Sequence, residues 1–351
     1  MTNSGLEGIV VADTRISDVD GERGKLVIAG NDVEPLALTT TFEAAVALVL
    51  AAGGADPAGL TPSAISAARA AAWELVPRLG DALDHSDGMD ALRTALGHVR
   101  ATGDDVRDAI AAIGAAPVFV AAWSRRRAHQ APLAPDPALG HAADYLRMTL
   151  GEAPGAGTIR ALDAYLVTVI DHAMCASTFT ARVIASTASD LISALIGAVG
   201  ALKGPLHGGA PGPVLDMLDA VGGDPEAWLL GELAAGRRIM GMGHRVYRVR
   251  DPRAAVLEEA VRPLASPRLA QARAVERAAA KILRERKPDR PLAANVEFFT
   301  AVLLDAVGLP REQFSSTFAV SRIAGWSAHV IEQRRTGRLI RPASRYTGAM
   351  P

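Results

Sequence analysis

Apolar residues recur at helical spacing along most of this chain. Alanine, leucine, valine and isoleucine return every three or four residues, which places them on one face of a helix. The pattern predicts helices at 41–55, 63–79, 89–99, 104–112, 141–150, 158–172, 178–199, 214–221, 226–235, 263–285 and 313–335, and an apolar, buried segment at 292–307. We therefore expect a mainly helical protein.

The first forty residues have a different pattern. Short β-like runs at 10–11, 14–16 and 25–28 are separated by the turn-rich segment 18–24, which predicts a small strand element. Further along, glycine and proline cluster between Gly204 and Pro213. This cluster is the strongest candidate for a domain boundary.

Length and composition exclude several classes of protein. The 351 residues suit two or three modest domains, and an apolar share of 49% can form a large core. Lys and Arg total 37 against 38 for Asp and Glu, so a strongly basic nucleic-acid binder is not expected. Cys175 is the only cysteine, which excludes an internal disulfide or a cysteine-based zinc site and favours a reducing compartment.

The chain has no obvious membrane segment in its sequence. The longest apolar runs, 44–53 and 191–202, are shorter than the roughly 20 residues that cross a bilayer. Residues 1–8 lack the basic start and apolar stretch of a signal peptide. We expect a soluble, cytoplasmic protein.

Three of the eight histidines are candidates for chemistry. His207 lies in a glycine-rich turn, His244 follows Gly241 and Gly243, and His172 follows an aspartate. Glycines let a ligand approach the backbone closely, although an ordinary turn or a helix end would also explain each histidine. Four others, in helical or polar settings, are expected at the surface: His85, His98, His129 and His141.

Arginines and one carboxylate extend this set. Six arginines lie between Arg237 and Arg253, which favours an anionic small ligand or, alternatively, a solvated charged face. Glu297 stands in an apolar stretch, where burial is expected to raise its pKa towards that of a general base. Arg322 and Arg341 could each grip a carboxylate through paired hydrogen bonds.

At this point the sequence resembles the citrate synthase family. The motifs that carry the resemblance stand in the family's order and span nearly the whole chain. They are Gly5–Val10, Ile16–Gly21, Met89–Thr94, Asp171-His172, Ser177–Arg182, Gly204–Ala210, Gly241–Tyr247, Asp251–Arg253, Gly325-Trp326 with His329, and Arg341-Pro342 with Tyr346–Gly348. The chain is similar to the shorter bacterial type.

The resemblance implies an all-α homodimer with a large and a small helical domain and a short N-terminal β element. The implied large domain comprises residues 1–208 and 319–351, and the small domain residues 209–318. It also implies an acyltransferase of the tricarboxylic acid cycle that condenses acetyl-CoA with oxaloacetate to citrate through an enol or enolate. No cofactor is bound permanently, coenzyme A thioester is a co-substrate, and neither nucleic acid nor a membrane is a partner.

The resemblance also assigns roles to residues of this chain. His207 would hydrogen-bond the thioester oxygen, His244 would polarise the ketone of oxaloacetate, and Glu297 would take the methyl proton. The residues implied to hold the oxaloacetate carboxylates are His172, Arg253, Arg322 and, from the partner subunit, Arg341. The turn implied to lie against coenzyme A comprises Ile239, Met240, Gly241, Met242 and Gly243.

Two departures from the family pattern leave alternatives open. Glu297 replaces the usual aspartate, and its extra methylene displaces the carboxylate by about 1 Å, which can lower a rate about 100-fold unless the backbone compensates. Cys175 stands where the family commonly has asparagine. The alternatives are a 2-methylcitrate synthase using propionyl-CoA, a ligand-binding homologue with reduced or lost turnover, and a metal protein using His172, His207 and His244.

Overall fold

Fifteen α-helices and one small antiparallel sheet make up the regular structure of the described residues. The computed structural model describes residues 5–6, 8–207, 211–286 and 292–350. The strands are β1 Ser17–Asp20, β2 Lys25–Ile28 and β3 Asn31–Asp32. The helices are α1 Val33–Thr39, α2 Phe42–Ala52, α3 Pro62–Trp73, α4 Gly88–Leu96, α5 Asp105–Arg127, α6 His141–Leu150, α7 Ala156–Thr168, α8 Ala176–Ser186, α9 Leu191–Leu202, α10 Pro211–Ala220, α11 Pro225–Ala234, α12 Pro252–Val261, α13 Pro267–Arg286, α14 Val296–Ala306 and α15 Phe314–Thr336. The expectation of a mainly helical fold is confirmed.

The N-terminal sheet begins later than the sequence predicts. β1 pairs antiparallel with β2, in the register Ser17 with Ile28 and Asp20 with Lys25, and β3 extends the sheet beside β2. The strand at 25–28 is confirmed, but the strands expected at 10–11 and 14–16 are wrong. The turn is shorter than expected because the Asp20 side chain accepts the backbone N–H groups of Glu22 and Arg23 and closes it.

Two helices of 23 residues, α5 and α15, form the centre of the larger group of helices. α5 packs on α3, α4 and α6, and α15 packs on α2, α5, α8 and α9. The sequence predicts only 104–112 of α5, and this prediction is wrong, because every residue from Ala112 to Ser124 is buried and burial holds the helix together across Pro117. Within the described residues, α5 is the one helix long and apolar enough to span a membrane, but 78% of its apolar window is buried inside the fold.

Local turns divide other predicted elements. The helix expected over 178–199 is wrong, because α8 ends at Ser186 and α9 begins at Leu191. Ala188 adopts a left-handed conformation between them, and Asp190 caps α9 by accepting the N–H of Ser193. α1 and α12 were not predicted, since each is short and carries no clear periodicity.

His141 lies in the core rather than at the surface. It opens α6, its side chain is fully buried, and its ring lies 4.7 Å from that of Phe42. The surface prediction for His141 is therefore wrong, because the start of α6 is packed against α2. His129 is exposed as expected, and His85 and His98 are half-buried.

A second group of helices follows the glycine-rich segment. α10, α11, α13 and α14 pack on one another, while α12 contacts α14 on one side and α1 and α7 on the other. α12 therefore lies between the two groups. The predicted boundary between residues 208 and 209 falls outside the described residues, so the division into a large and a small domain stays a prediction.

Close helix contacts make specific glycines necessary. A Cβ on Gly114 of α5 would lie 2.5 Å from the Cβ of Ala68 and 2.7 Å from its carbonyl carbon in α3. Such overlap cannot be relieved by rotating a side chain, because the contacted atoms include backbone.

We predict that Gly114→Ala destabilises the protein by about 1–3 kcal/mol, the usual effect of overpacking a core. The matched control is Gly231→Ala on the exposed face of α11, where an added Cβ meets nothing within 4 Å. That control should be neutral or stabilising by up to about 1 kcal/mol, because alanine favours helix more than glycine does. Chemical denaturation of both variants measures the difference, and equal stabilities would contradict this account of the α3–α5 contact.

Candidate active site

The structure brings six of the predicted site residues into one largely buried cluster. They are His172, His207, His244, Arg253, Glu297 and Arg322. The rings of His172 and His244 have centroids 5.5 Å apart, and Arg253 Nη2 lies 3.5 Å from His244 Nε2. The positive charges of Arg253 and Arg322 both act to lower the pKa of Glu297. The pKa of His172 is lowered by electrostatic interaction with Arg253, Arg322, His244 and His207. Residues separated by more than 100 positions in the chain therefore share one site.

The loop around His244 fixes the protonation of that histidine. His244 Nδ1 accepts the backbone N–H groups of Val246 and Tyr247, at 3.0 and 3.1 Å. A nitrogen that accepts N–H groups carries no proton, so the neutral ring must carry its proton on Nε2. Burial, reinforced by the positive charge of Arg253, lowers the pKa of His244 to about 4. His244 is thus a neutral N–H donor at Nε2.

His207 has the opposite tautomer for the same reason. It follows α9, and its Nε2 accepts the backbone N–H of Ser177 at 3.3 Å and lies 2.8 Å from the hydroxyl of Ser177. Trp326 Nε1 donates to that hydroxyl at 3.2 Å, which orients it towards the histidine. A neutral His207 therefore carries its proton on Nδ1 and can donate from there. Gly208, Gly209 and Ala210, the rest of the motif, lie outside the described residues.

His172 is held in a strained turn after α7. Its Nε2 lies 3.2 Å from the hydroxyl of Tyr247. Burial, followed by the charges of Arg253 and Arg322, lowers its pKa well below the usual range. Ala173, the next residue, has a φ of 48°, a left-handed conformation that is unfavourable for alanine and that surrounding contacts must maintain.

Arg253 forms a buried ion pair with Asp251. Arg253 Nε and Nη2 donate to the two carboxylate oxygens of Asp251 at 3.0 and 2.7 Å, and both side chains are almost wholly buried. Asp251 also caps α12 by accepting the N–H of Arg253 and accepts the N–H of Val296, at the start of α14, at 3.2 Å. This pair therefore orients Arg253 and fixes where α14 begins.

Glu297 lies at the start of α14 with one carboxylate oxygen unpaired. Only 7% of the residue is exposed, and Oε2 has no hydrogen-bond partner among the described residues. Burial raises the pKa of Glu297 to about 7, although Arg253 and Arg322 act to lower it. The expected rise in its pKa is confirmed. A carboxylate with a pKa near neutrality and a free oxygen is suited to accept a proton.

Arg322 and Cys175 contact each other in the same site. Arg322 Nη1 lies 3.4 Å from Cys175 Sγ, while its Nε donates to the Val169 carbonyl at 2.7 Å. Burial acts to raise the pKa of the Cys175 thiol, but the hydrogen bond with His207 and the charge of Arg322 outweigh it and lower the pKa to about 5. Cys175 is therefore a thiolate at neutral pH and balances the charge of Arg322.

The Ile239–Gly243 turn runs beside the segment that carries Glu297. Met242 forms a β-bridge with Ala294, and the N–H of Gly243 donates to the Ala293 carbonyl at 2.7 Å. Gly241 and Gly243 have φ values of 71° and 89°, which only glycine adopts readily. The turn itself includes Ile239, Met240 and Met242, of which Ile239 is buried. The turn therefore lies at the edge of the same cluster.

Arg341 does not join the cluster within its own chain. It is exposed, in an extended segment after α15, and among the described residues it forms no hydrogen bond or ion pair with Glu297, the histidines or the other two arginines. Four of the six arginines at 237–253 have carboxylate partners within the fold: Arg237 with Glu232, Arg248 with Glu22, Arg250 with Glu258 and Glu276, and Arg253 with Asp251. The local excess of positive charge is thus smaller than the sequence indicates.

Comparison with known proteins decides the family. A family profile described as "Citrate synthase, C-terminal domain" matches residues 5–343. The chain belongs to the citrate synthase family. It is an enzyme of that type, an acyltransferase that carries out a citrate synthase-like condensation.

The relatives of this chain carry two different names, citrate synthase and 2-methylcitrate synthase. The "Putative citrate synthase 2" of Mycobacterium tuberculosis is 40% identical over 99% of this chain and 93% of its own length. A 2-methylcitrate synthase of the same species is 35% identical over 98% of this chain and 90% of its own length. Both kinds of enzyme are therefore close in sequence.

Solved citrate synthases share the whole fold. The citrate synthase of Thermotoga maritima has a TM-score of 0.86 at 33% identity and covers 100% of this chain and 97% of its own. That of Thermoplasma acidophilum, in a ternary complex with carboxymethyl coenzyme A and oxaloacetate, has a TM-score of 0.88 at 27% identity with the same coverage. The citrate synthase-like fold expected from the sequence is confirmed.

Sequence reasoning missed four side chains that organise the site. They are Asp171, Ser177, Tyr247 and Asp251. Three of them belong to a motif that also contains a predicted site residue, and Ser177 opens the motif Ser177–Arg182, so position inside a motif was the signal available. No group of three His, Cys, Asp or Glu side chains in the described ranges is placed to hold a metal ion.

We predict that Cys175 reacts as a thiolate. Alkylation by iodoacetamide should reach its full rate above about pH 6 and fall as the pH drops through about 5, because only the thiolate is nucleophilic. Cys175 is the only cysteine, so mass spectrometry of the intact chain reports it directly, and Cys175→Ser is the unlabelled control. A midpoint above pH 8 would contradict the proposed contact between this thiol, His207 and Arg322.

Proposed function

We propose that this enzyme condenses acetyl-CoA with oxaloacetate to give citrate and free coenzyme A. The observation that carries the proposal is the arrangement around Glu297. The buried carboxylate of Glu297, with a pKa near 7 and one unpaired oxygen, shares its site with His207 and His244. Each of these histidines has one ring nitrogen that accepts an N–H group and a second that can donate. Proton abstraction next to a thioester needs both a base and hydrogen-bond donors.

Oxaloacetate binds first in this proposal. Arg253 and Arg322 hold its carboxylates, with His172 beside them. Arg322 is the better placed of the two, because it has no carboxylate partner among the described residues, whereas Arg253 already pairs with Asp251. The partner subunit's Arg341 completes the site.

The chemistry then proceeds in three steps. Glu297 takes a proton from the methyl group of acetyl-CoA while His207 Nδ1–H hydrogen-bonds the thioester oxygen, so that an enol or enolate forms rather than a free carbanion. The methylene carbon attacks the ketone carbon of oxaloacetate, and His244 Nε2–H stabilises the developing alkoxide. Water then cleaves the thioester, which releases citrate and coenzyme A.

Coenzyme A lies against the Ile239–Gly243 turn in this proposal. The left-handed glycines at 241 and 243 let the turn pack tightly, because an added Cβ would lie 3.0 Å from Phe298 at position 241 and 2.8 Å from Leu292 at position 243. No permanently bound cofactor is needed, because the thioester itself supplies the acyl group. Neither nucleic acid nor a membrane is proposed as a partner.

We also propose a cytoplasmic homodimer, with large and small domains divided as the sequence predicts. The support for a dimer is the extended, exposed segment that carries Arg341, which does not reach the site of its own chain within the described residues. An arginine delivered by a second copy would add a further guanidinium donor to the carboxylates that Arg253 and Arg322 hold. The support for the cytoplasm is the reduced state required of Cys175.

Propionyl-CoA is the alternative substrate, and the 2-methylcitrate synthase relative supports it. One methylene in an apolar pocket changes discrimination by about 1–3 kcal/mol, or roughly 10–200-fold. We predict a kcat/KM for acetyl-CoA at least about 10-fold above that for propionyl-CoA, measured side by side as oxaloacetate-dependent release of coenzyme A. The reverse order would make the enzyme a 2-methylcitrate synthase.

We predict that Glu297→Gln abolishes condensation, with a loss of at least about 100-fold, because a general base contributes about 10²- to 10⁴-fold. Asp305→Asn, at the other end of α14 and paired with Arg268 at the surface, is the matched control and should keep its activity. Retained activity in Glu297→Gln would remove Glu297 from the role of base.

The pH dependence gives a second readout of the same group. Glu297 must be deprotonated to act, so kcat/KM should rise with pH through about 7 and then level off.

Glu297→Asp, with the residue usual in the family, should be slower, because the backbone here places the longer side chain correctly. Equal rates for the two residues would show that the carboxylate position is not fixed in this way.

A further inference from the structure

One short element of the fold contacts both histidine-bearing segments of the site. The N-terminal hairpin, defined here as β1, its turn at 21–24 and β2, runs from the turn that carries His172 to the loop that carries His244. None of its residues is among the predicted site residues.

The first end of the N-terminal hairpin holds the turn of His172. Ser17 donates its hydroxyl hydrogen to a carboxylate oxygen of Asp171 and accepts the N–H of Ala173 at 2.8 Å. The Asp171 carboxylate also accepts the N–H of Ala173 at 3.1 Å and lies 3.2 Å from the ring of His329 in α15. His172 is therefore flanked on both sides by backbone that Ser17 helps to fix, including the strained residue Ala173.

The other end holds the loop of His244. The N–H of Arg248 donates to the Gly21 carbonyl at 2.9 Å. A Cβ on Gly21 would lie 2.9 Å from the carbonyl carbon of Val246 and closer still to its oxygen, so the hairpin turn lies directly against the loop backbone. Val246 is one of the two residues whose N–H groups fix the tautomer of His244.

The hairpin between these two contacts is anchored in the core. Ile16, Leu26 and Ile28 are almost completely buried, and the N–H of Ala29 donates to the Ile16 carbonyl at 2.7 Å. A buried, hydrogen-bonded hairpin does not change length easily, so it sets the distance between the segments at its two ends. The 3.2 Å contact between His172 Nε2 and the hydroxyl of Tyr247 joins the same two segments inside the site.

We propose that the N-terminal hairpin is a positioning element of the active site, which sets His172 and His244 relative to each other. Ser17 and Gly21 are its positioning residues, and neither touches substrate. The inference rests on the proposed function, because it is oxaloacetate that these two histidines would grip together. The ion pair between Arg248 and Glu22, at 3.9 Å and highly exposed, contributes little, so the backbone contact of Gly21 carries the argument.

Gly21→Ala tests the contact at the loop. Gly21 does not have a left-handed φ, so alanine is tolerated by the backbone and acts only through the overlap with Val246. We expect an increase in the KM for oxaloacetate with an overall loss of about 10- to 100-fold in kcat/KM, since a displacement near 1 Å suffices for that loss. The KM for the thioester should change much less. Gly223→Ala, where an added Cβ meets nothing within 4 Å, is the control and should behave as the wild type.

Ser17 provides a second variant in case Gly21→Ala fails to fold. Ser17→Ala should weaken oxaloacetate use in the same way, and Ser17→Thr, which keeps the hydroxyl, should restore most of it. A Ser17→Ala enzyme with wild-type KM for oxaloacetate, or a Ser17→Thr enzyme as impaired as the alanine variant, would overturn the role of Ser17.

Amide hydrogen exchange separates this inference from the proposed function. Gly21→Ala should accelerate exchange at residues 244–250, measured by mass spectrometry, whether or not the protein condenses the two substrates. If the wild type released no coenzyme A, the proposed function would fail, and the exchange pattern would still decide the contact. Unchanged exchange at 244–250 together with wild-type kinetics in Gly21→Ala would overturn the positioning role.

Discussion

The site depends on the ion pair and the hydrogen bonds that the buried carboxylate of Asp251 forms. Asp251 pairs with Arg253, caps α12 and accepts the N–H of Val296, while its own N–H donates to the Ala294 carbonyl. One side chain thus fixes the direction of Arg253 and the first turn of the helix that carries Glu297. Removing one partner of such a buried pair leaves a charge without compensation, which typically destabilises a protein by about 3–5 kcal/mol.

Charge balance around this pair explains the protonation states in the site. Arg253 is neutralised by Asp251 and Arg322 by the thiolate of Cys175, so neither arginine fully offsets the burial of Glu297. Burial and the same arginines keep His172 and His244 neutral. The result is a base with a pKa near neutrality beside neutral donors, a combination suited to removing a proton from a weak carbon acid.

Much of the fold and the site could be predicted from the sequence, and the rest could not for physical reasons. Helical spacing predicted α6 with its bounds, and the motifs predicted the residues that cluster around Glu297. The break between α8 and α9 was missed because alanine at position 188 gives no sign of a left-handed conformation. The buried His141 was missed because its burial comes from contact with Phe42 in another helix. The links of Ser17 to Asp171 and of Gly21 to Val246 join residues 154 and 225 positions apart, and no local pattern encodes them.

In the proposed mechanism water cleaves the thioester only after condensation, so this site should release coenzyme A only when oxaloacetate is in place. The most direct measurement is the release of free coenzyme A from acetyl-CoA by the wild-type enzyme, with and without oxaloacetate, together with the amount of citrate formed. The account predicts release only with oxaloacetate and one citrate for each coenzyme A. Release without oxaloacetate, or none from either acetyl-CoA or propionyl-CoA in its presence, would contradict it.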